Sequence, residues 1–159
     1  SRAGVSPGLL THYFPGVDAL IVATYRHTGA KVVEALAQAV EEAGDDPRAR
    51  LNAYVTASFR PPLLDPELLA TWIAFWSLIR TRPDMKAAHA DHYGDFRVGM
   101  EKLVADCAPQ LDAAAVRMSA VAITALVDGL WLELCLDPSS FPASDAVDVA
   151  LRWVAELLR

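Results

Sequence analysis

Cysteine and uninterrupted apolar stretches are scarce in this sequence. Its 159 residues include two cysteines, Cys107 and Cys135, which are too few for a disulfide framework, so we expect both to be buried as small hydrophobic side chains. No signal peptide is visible, and charged side chains interrupt residues 113–136, the run nearest to the roughly 18 apolar residues of a membrane span. These absences argue against a disulfide-rich secreted protein and predict a cytoplasmic protein with no membrane partner.

Basic residues are in the minority, with 14 Lys and Arg against 20 Asp and Glu and a formal net charge of -6 at pH 7. This balance disfavours non-specific binding of the chain to nucleic acid. Hydrophobic residues make up 53% of the chain and include 4 tryptophans, which predicts a well-buried globular body rather than disorder. At this length we expect one main domain.

Strand signals are absent as well. No segment alternates apolar and polar residues between hairpin turns, and no internal repeat or low-complexity tract is visible. Because apolar residues instead recur at helical spacing between Pro- and Gly-containing breaks, the predicted fold class is all-α, a helical bundle of about seven helices. The predicted helices cover residues 7–14, 17–42, 47–59, 65–82, 84–108, 112–136 and 145–158.

The opening stretch G-V-S-P-G-L-L-T-H-Y-F-P-G predicts a short capped helix. Ser6 can accept a hydrogen bond from an early backbone N–H, Pro7 suits the first helical position, and Pro15-Gly16 ends the helix after about two turns. A helix of that length is not stable alone. Since the sequence also lacks an initiator Met, we expect it to be the remainder of a longer chain, beginning at the turn of a helix-turn-helix.

This stretch resembles the recognition-helix half of the TetR family of bacterial repressors, whose usual run is close to A-G-V-S-x-G-x-x-x-x-x-F-x-x-K-x-x-L. The matching residues occur in the same order: Ala3, Gly4, Val5, Ser6, Gly8, Phe14 and Leu20. Thr11 stands where the family usually has an aromatic residue, and Val17 replaces a lysine that typically holds a DNA phosphate. Two later stretches, W-I-A-F-W at 72–76 and L-V-D-G-L-W-L at 126–132, are similar to the subgroup of the choline-responsive repressor of betaine synthesis.

The resemblance implies a ligand-responsive DNA-binding transcriptional repressor that controls a small-molecule metabolic or efflux operon. Residues 1–42 would be the remainder of the DNA-binding head and a connecting helix, and residues 43–159 a ligand-binding and dimerisation domain. In the intact parent chain, double-stranded operator DNA would contact the capped turn and the helix after it, at Ser6, Pro7, Gly8, Thr11, His12 and Tyr13. The alternative is a helical small-molecule-binding or dimerisation module without DNA binding.

The last two predicted helices have more apolar surface than one bundle can cover. Residues 112–136 are apolar nearly all round and residues 145–158 carry an apolar stripe, so a second subunit is the expected cover. The resemblance implies the same arrangement, a homodimer whose four-helix interface takes these two helices from each subunit. The predicted interface residues are Ile123, Val127, Leu130, Leu134, Val147, Leu151 and Val154.

Six aromatic residues on three of the predicted helices could surround a pocket for a small-molecule effector: Trp72, Phe75, Trp76, Tyr93, Phe96 and Trp131. Aromatic faces attract quaternary or protonated ammonium groups. Glu133 or Asp128 could supply a carboxylate to such a cation, because a carboxylate in an apolar helix must be paired, hydrogen-bonded or neutralised. Three alternatives stay open: the aromatic residues fill the core, Asp128 makes an interhelical or intersubunit hydrogen bond, or the effector is a neutral hydrophobe.

Catalytic and metal-binding patterns are missing from the sequence. His89 and His92 have the i, i+3 spacing that can place two ligands on one metal, but only two firm ligands are apparent, so we expect a solvated polar face. No Ser/His/Asp order, Gly-rich phosphate loop or pair of carboxylates stands out. We therefore expect no metal, no cofactor and no enzymatic activity.

Overall fold

The computed structural model describes residues 13–159, and this part of the chain forms six α-helices and no strand. In chain order the helices are α1 (Val17–Glu42), α2 (Pro47–Ala57), α3 (Pro66–Ile79), α4 (Pro83–Cys107), α5 (Ala113–Leu136) and α6 (Ala143–Leu157). The predicted all-α class is confirmed. The helix predicted over residues 7–14 lies mostly outside the described residues.

Three helices begin directly after an aspartate, within one residue of their predicted starts. The carboxylates of Asp46, Asp65 and Asp112 accept hydrogen bonds from backbone N–H groups of the first turn, at 2.7, 2.9 and 2.8 Å respectively. Such caps satisfy donors that have no partner inside the helix. Proline in the first turn of α2, α3 and α4 also favours these starts, because its missing N–H costs nothing there.

The largest difference from the predicted helix ends concerns α3. This helix ends at Ile79, and residues 80–81 form a turn instead of continuing it to residue 82. Pro83 explains the early end, because the residue before a proline disfavours helical backbone. Arg82 adopts extended backbone and forms ion pairs with Asp18 and Asp84, both at 2.6 Å.

Most buried apolar residues belong to one main core. This core joins the C-terminal half of α1 with α2, the C-terminal half of α4, α5 and α6. Leu51, Val55, Val104, Ile123 and Val154 are almost fully shielded from solvent within it. The main core therefore holds together every helix except α3.

A second, smaller core lies at the other end of α1. Tyr25, Phe75, Met85 and Ala88 are buried there, and they bring together the N-terminal half of α1, α3 and the start of α4. Helix α1 thus packs its first half on the small core and its second half, around Leu36, on the main core. The connection between the two cores runs along this one helix and along α4.

Helix α5 is long and apolar enough to cross a membrane by length and composition. It packs against α3, α4 and α6, and Val116, Ala120 and Ile123 are buried in the main core. The apolar sequence of α5 is therefore that of a core helix in the bundle.

Four of the predicted interface residues belong to the interior of the protomer, which corrects their assignment. Ile123, Val127, Leu134 and Val154 are at most 6% exposed because they form the centre of the main core. The other three pack against the same core and are half-buried: Leu130, Val147 and Leu151. Core-facing and partner-facing stripes have the same helical spacing, so the sequence pattern could not separate them. The exposed large apolar side chains of α5 and α6 are Met118, Val121, Leu136, Trp153 and Leu157.

Candidate functional site

An aromatic-lined cavity of about 280 Å³ lies where the two cores meet. Tyr25 and Trp72 of the small core contribute to its wall, as do Leu36, Tyr54 and Val127 of the main core. Helices α1 to α5 all take part, so a molecule inside the cavity would contact five helices at once. The volume lies just below the range of about 300–1,000 Å³ that is typical of organic ligand sites.

Five of the predicted pocket residues line this cavity: Trp72, Trp76, Tyr93, Phe96 and Trp131. Phe75, the sixth aromatic residue, does not. Its side chain is buried in the small core, edge-on to Tyr25 with 5.2 Å between the ring centroids. Neighbouring residues on a helix point about 100° apart, so Phe75 and Trp76 face different surroundings.

The carboxylate of the cavity wall belongs to Asp128, and Glu133 lies elsewhere. Asp128 lines the cavity and accepts a hydrogen bond from the Tyr93 hydroxyl at 3.3 Å. Glu133 follows five residues later, about 140° further round α5, and is exposed. The interhelical hydrogen bond that the sequence left open for Asp128 is therefore present, between α5 and α4, in the wall of the cavity.

Partial desolvation at the cavity wall affects how Tyr93 and Asp128 ionise, although the Asp128 residue itself is exposed. This desolvation raises the pKa of the Asp128 carboxyl above its ordinary value, and the hydrogen bond from Tyr93 acts in the opposite direction. Burial, together with the neighbouring Asp128 carboxylate, raises the pKa of Tyr93 to about 12. Tyr93 therefore remains protonated at neutral pH and donates the hydrogen bond that it shares with Asp128.

The Tyr54 hydroxyl is an unusual feature of the cavity wall. Tyr54 is 8% exposed, and its hydroxyl oxygen is buried without a hydrogen-bond partner among residues 13–159. Its ring packs on Phe96, with 6.0 Å between the centroids. Burial and the nearby Asp128 carboxylate raise its pKa well above the ordinary value, so the hydroxyl is a neutral donor. An unpaired buried hydroxyl costs about 1–3 kcal/mol, which a bound molecule with an acceptor group could recover.

The Trp131 indole is fixed in position by its own hydrogen bond. Its Nε1 donates to the backbone carbonyl of Leu63 at 2.8 Å, between α5 and the segment that precedes α3. Because the indole N–H is satisfied there, the ring offers its apolar surface to the cavity.

Sequence reasoning missed the contribution of α1 to the cavity. Tyr25, in the first half of α1, is 1% exposed, and its hydroxyl is 2.9 Å from Nδ1 of His89 on α4. Its ring also packs edge-on against Trp72, with 5.7 Å between the centroids. Both partners of Tyr25 line the cavity, so this residue links the cavity wall to the connecting helix.

His89 and His92 do not lie on a solvated face, which corrects the sequence prediction. Both are half-buried and line the cavity, and burial lowers the pKa of each imidazole. The sequence does carry a signal for this position. The two histidines continue a series with Met85, Phe96 and Met100 at intervals of three and four residues, which places them on the same face of α4. Among residues 13–159, no group of three side chains suited to binding a metal ion is present.

Gly29 of α1 allows a close approach between α1 and α4. A Cβ built on Gly29 would lie 2.6 Å from Nε2 of His92, well inside contact distance. Glycine is otherwise unfavourable in the interior of a helix. Its occurrence in the middle of α1 therefore indicates close packing, and this can be recognised from the sequence. Gly29 and Tyr25 are four residues apart, so both contacts with the histidines come from one face of α1.

The predicted DNA-contacting residues are mostly outside the described part of the chain. Ser6, Pro7, Gly8, Thr11 and His12 lie before residue 13. Tyr13 lies at the start of the described residues and is 71% exposed.

Similarity to solved structures defines the class of the protein. The fold matches a transcriptional regulator from Pseudomonas aeruginosa PAO1 with a TM-score of 0.89 and 35% identity, covering 98% of this chain and 76% of that one. A TetR-family regulator from a Rhodococcus species matches with a TM-score of 0.75 at 20% identity, over 99% of this chain and 83% of its own. These matches identify the fold as that of TetR-family transcriptional regulators.

Sequence comparisons specify the branch of that family. Residues 47–159 match the family model of the BetI-type transcriptional repressor C-terminal region. The HTH-type transcriptional regulator BetI of Burkholderia thailandensis is 35% identical over 157 residues, which cover 99% of this chain and 79% of the relative. BetI of Paraburkholderia phytofirmans is 34% identical over 153 residues, covering 96% and 77% respectively. The chain belongs to the BetI-type branch of the TetR family.

The family assignment settles the general function. The protein is a ligand-responsive transcriptional repressor and not an enzyme, as the sequence predicted. The alternative of a helical module without a DNA-binding role finds no support in these matches. TetR-family regulators bind operator DNA and act as dimers that respond to small-molecule effectors, so the aromatic cavity is the place to look for the effector.

Proposed function

We propose that the cavity between the two cores binds a small cationic effector, a quaternary or protonated amine. The observation that carries this proposal is the Asp128 carboxylate in a wall otherwise dominated by aromatic rings. Trp72, Trp76 and Phe96 can offer faces or edges to the cation, and each well-placed aromatic face contributes about 0.5–2 kcal/mol. The carboxylate distinguishes a cation from a neutral molecule of the same shape.

The Tyr54 hydroxyl, which has no hydrogen-bond partner within residues 13–159, supports a second polar contact inside the same cavity. Tyr54 lies near Asp128 and Tyr93, since both influence its pKa. An effector that carries a hydrogen-bond acceptor beside its cationic group would pair this hydroxyl and remove the cost of leaving it buried. The effector class is therefore a small amine with a short polar substituent.

We infer that the effector acts on DNA binding through α1. In this scheme residues 1–42 are the DNA-reading head with the connecting helix, and residues 43–159 are the regulatory and dimerisation body. The effector contacts Tyr25 and the two histidines that pack on α1, so binding favours one position of this helix. In a dimer, that position sets the spacing of two heads that contact operator DNA through Ser6, Pro7, Gly8, Thr11, His12 and Tyr13.

The regulated genes follow from the same reasoning. A repressor that releases DNA when a small amine accumulates suits an operon for the metabolism or efflux of that amine. Such a protein works where the chromosome is, so we place it in the cytoplasm, with no membrane partner.

The effector class is tested by calorimetry with a matched pair of ligands, choline and its uncharged carbon isostere. We expect choline to bind at least about tenfold more tightly, because only the cation gains from Asp128 and the aromatic faces. Asp128→Asn keeps the size of the side chain and removes its charge, so it should abolish this preference. Equal or tighter binding of the neutral isostere to the unmodified protein would rule out the cationic effector.

A pair of variants on α3 tests the location of the site. Trp76→Ala removes a ring from the cavity wall, and Ile73→Ala removes an apolar side chain of similar exposure on the same helix that does not line the cavity. We expect choline binding to weaken about tenfold in Trp76→Ala and to stay unchanged in Ile73→Ala. Equal effects of the two substitutions would contradict binding in this cavity.

A further inference from the structure

A surface groove of about 540 Å³ runs between α1 and α3, beside the aromatic cavity. Residues 28–38 of α1 supply one of its walls, and residues 62–71, the segment before α3 with the start of that helix, supply the other. The two helices leave room for the groove because α1 packs mainly on α2 and α4, whereas α3 packs mainly on α4 and α5. Exposed side chains occur in both walls, so the groove is open to solvent.

Three apolar residues separate this groove from the cavity. Val32 of α1, Leu63 before α3 and Leu68 in the first turn of α3 line both spaces. Leu63 is buried, and Val32 and Leu68 are half-buried. Because the same side chains face the groove on one side and the cavity on the other, a displacement of one of them joins the two spaces.

The three residues differ in how firmly they are held. Leu63 belongs to the main core, its carbonyl accepts the hydrogen bond from the Trp131 indole at 2.8 Å, and its N–H donates to the carbonyl of Arg60 at 2.9 Å. Val32 packs against the same core, and its β-branched side chain has one strongly preferred rotamer in a helix. Leu68 packs against neither core of the described chain. Its side chain can therefore change rotamer without disturbing the packing of the bundle.

The groove is more acidic than basic. Of its described lining residues, three carry carboxylates and one carries an amine: Glu34, Asp65, Glu67 and Lys31. The Asp65 carboxylate accepts a hydrogen bond from the backbone N–H of Glu67 at 2.9 Å, as the cap of α3. Glu34 and Glu67 are exposed, so their charges face the solvent from which an effector arrives. A groove of this sign concentrates small cations and repels anions.

We propose that this groove is the entrance of the effector cavity and that Leu68 is its gate. A cationic effector collects in the acidic groove and enters the cavity when the Leu68 side chain turns away from Val32 and Leu63. A gate changes the barrier between the free and the bound state, so it determines how fast the effector binds and leaves and not how tightly it is held. This inference rests on the proposed cationic effector.

A different route into the cavity would pass through its α5 wall, where Asp128 and Gly129 are exposed. Leu132 lies one turn after Asp128 and is half-buried, and it lines the cavity but not the groove. It is therefore the matched control for Leu68, the same side chain in the same cavity wall but beside the other route. The groove differs from that route because its carboxylates lie outside the cavity, where they attract a cation without retaining it.

Stopped-flow measurement of choline binding tests the gate, with the fluorescence of the cavity tryptophans as the signal. We expect Leu68→Ala to raise the association and dissociation rate constants together, each at least about fivefold, while Kd changes less than about twofold. Leu132→Ala should leave the association rate constant unchanged. An unchanged association rate constant in Leu68→Ala, or an equal increase in Leu132→Ala, would overturn the proposal.

Two double variants of equal net charge test the role of the acidic groove. Glu34→Gln with Glu67→Gln removes two carboxylates from the groove, and Glu133→Gln with Glu156→Gln removes two exposed carboxylates from α5 and α6. We expect only the groove variant to slow choline association, about threefold in low salt, and the difference to vanish at about 0.5 M salt, where the charges are screened. Equal slowing in both variants would contradict entry through the groove.

Calorimetry on the unmodified protein separates a failure of the entrance from a failure of the effector class. If choline binds but its rate constants are the same in Leu68→Ala and in the groove variant, the entrance is wrong and the cationic effector stands. If choline does not bind at all, the cationic effector is wrong, and the entrance proposed for it is wrong as well.

Discussion

Two tyrosine residues of the cavity wall have hydroxyls with different hydrogen-bonding states. The Tyr25 hydroxyl is 2.9 Å from His89, whereas the Tyr54 hydroxyl is buried with no partner in the described part of the chain. Removing a paired hydroxyl leaves a buried partner unsatisfied, and removing an unpaired one relieves a cost. The same Tyr→Phe substitution should therefore have opposite effects at the two positions.

Tyr25→Phe should lower the free energy of unfolding by about 0.5–1.5 kcal/mol, and Tyr54→Phe should leave it unchanged or raise it. Urea unfolding in the absence of effector measures both changes. If the Tyr54 hydroxyl serves the effector, Tyr54→Phe should also weaken effector binding without loss of stability. Parallel losses of stability in the two variants would show that Tyr54 has a partner within the protein.

Gly29 provides a second contrast between two residues of the same type. Gly94 on α4 has nothing within 4 Å of a built Cβ, so Gly94→Ala should stabilise the protein by about 0.5–1 kcal/mol through helix propensity alone. At Gly29 the new methyl group would displace the His92 ring, and this gain should be lost or reversed. Thermal unfolding of the two variants measures the difference. A stabilisation in Gly29→Ala equal to that in Gly94→Ala would mean that α1 and α4 do not pack closely.

Helix α4 makes stability depend on pH, because His89 and His92 are half-buried in it. Burial lowers the pKa of both imidazoles, so the unfolded chain binds protons more readily than the folded protein. The free energy of unfolding should therefore fall as the pH is lowered through the unfolded pKa of about 6.5, and be fully present above it. Each histidine can contribute a slope of up to about 1.4 kcal/mol per pH unit.

Denaturant titrations between about pH 7 and about pH 5.5 measure this slope. We expect His89→Gln and His92→Gln each to reduce it. His27→Gln is the control, because His27 is exposed on α1. A slope that survives replacement of both cavity histidines would assign the pH dependence to other groups.

Helix α6 places a core position and an exposed position one residue apart. Val154 is 1% exposed, and Trp153 is 62% exposed. Val154→Glu buries a charge in the main core and should destabilise the protomer by several kcal/mol. Trp153→Glu should leave the protomer folded and weaken the dimer. Circular dichroism and sedimentation measured on both variants check this, and a stable, fully folded Val154→Glu protein would contradict the assignment to the core.

The sequence was most informative about helix starts and least informative about which way each helix faces. The predicted starts of α2, α3 and α5 lie within one residue of the observed ones because capping, here by Asp46, Asp65 and Asp112, is a local interaction. Whether an apolar stripe faces the core or a second subunit depends on helices that are distant in sequence. The helical spacing is the same in both cases, so a core residue such as Val154 could not be distinguished from an interface residue. Five of the six aromatic residues predicted on α3, α4 and α5 line the cavity. Tyr25 and Tyr54 line it too, but the sequence did not predict them, because it does not show which distant helices pack against these three.

Across the whole molecule, α1 is a helix that both cores share. Besides its contacts with the histidines, α1 forms ion pairs through Asp18 with Arg82 at 2.6 Å and through Arg26 with Asp91 at 3.7 Å. These pairs are largely exposed and contribute little to stability. The buried contacts of Tyr25 and Gly29 are therefore the ones that can report the state of the cavity to α1.

The unequal size of the two cores implies that the molecule does not open everywhere with the same free energy. In the described chain the small core has four buried members, so the first half of α1, α3 and the start of α4 form a unit that can unfold locally while the main core persists. Amide hydrogen exchange should then be faster around Tyr25 and Phe75 than around Val55 and Val104. Because the cavity lies between this unit and the main core, an effector should slow amide exchange mainly in the unit that contains the small core. Such a repressor would respond to its effector by changing how often its connecting helix is released, and not only where that helix lies.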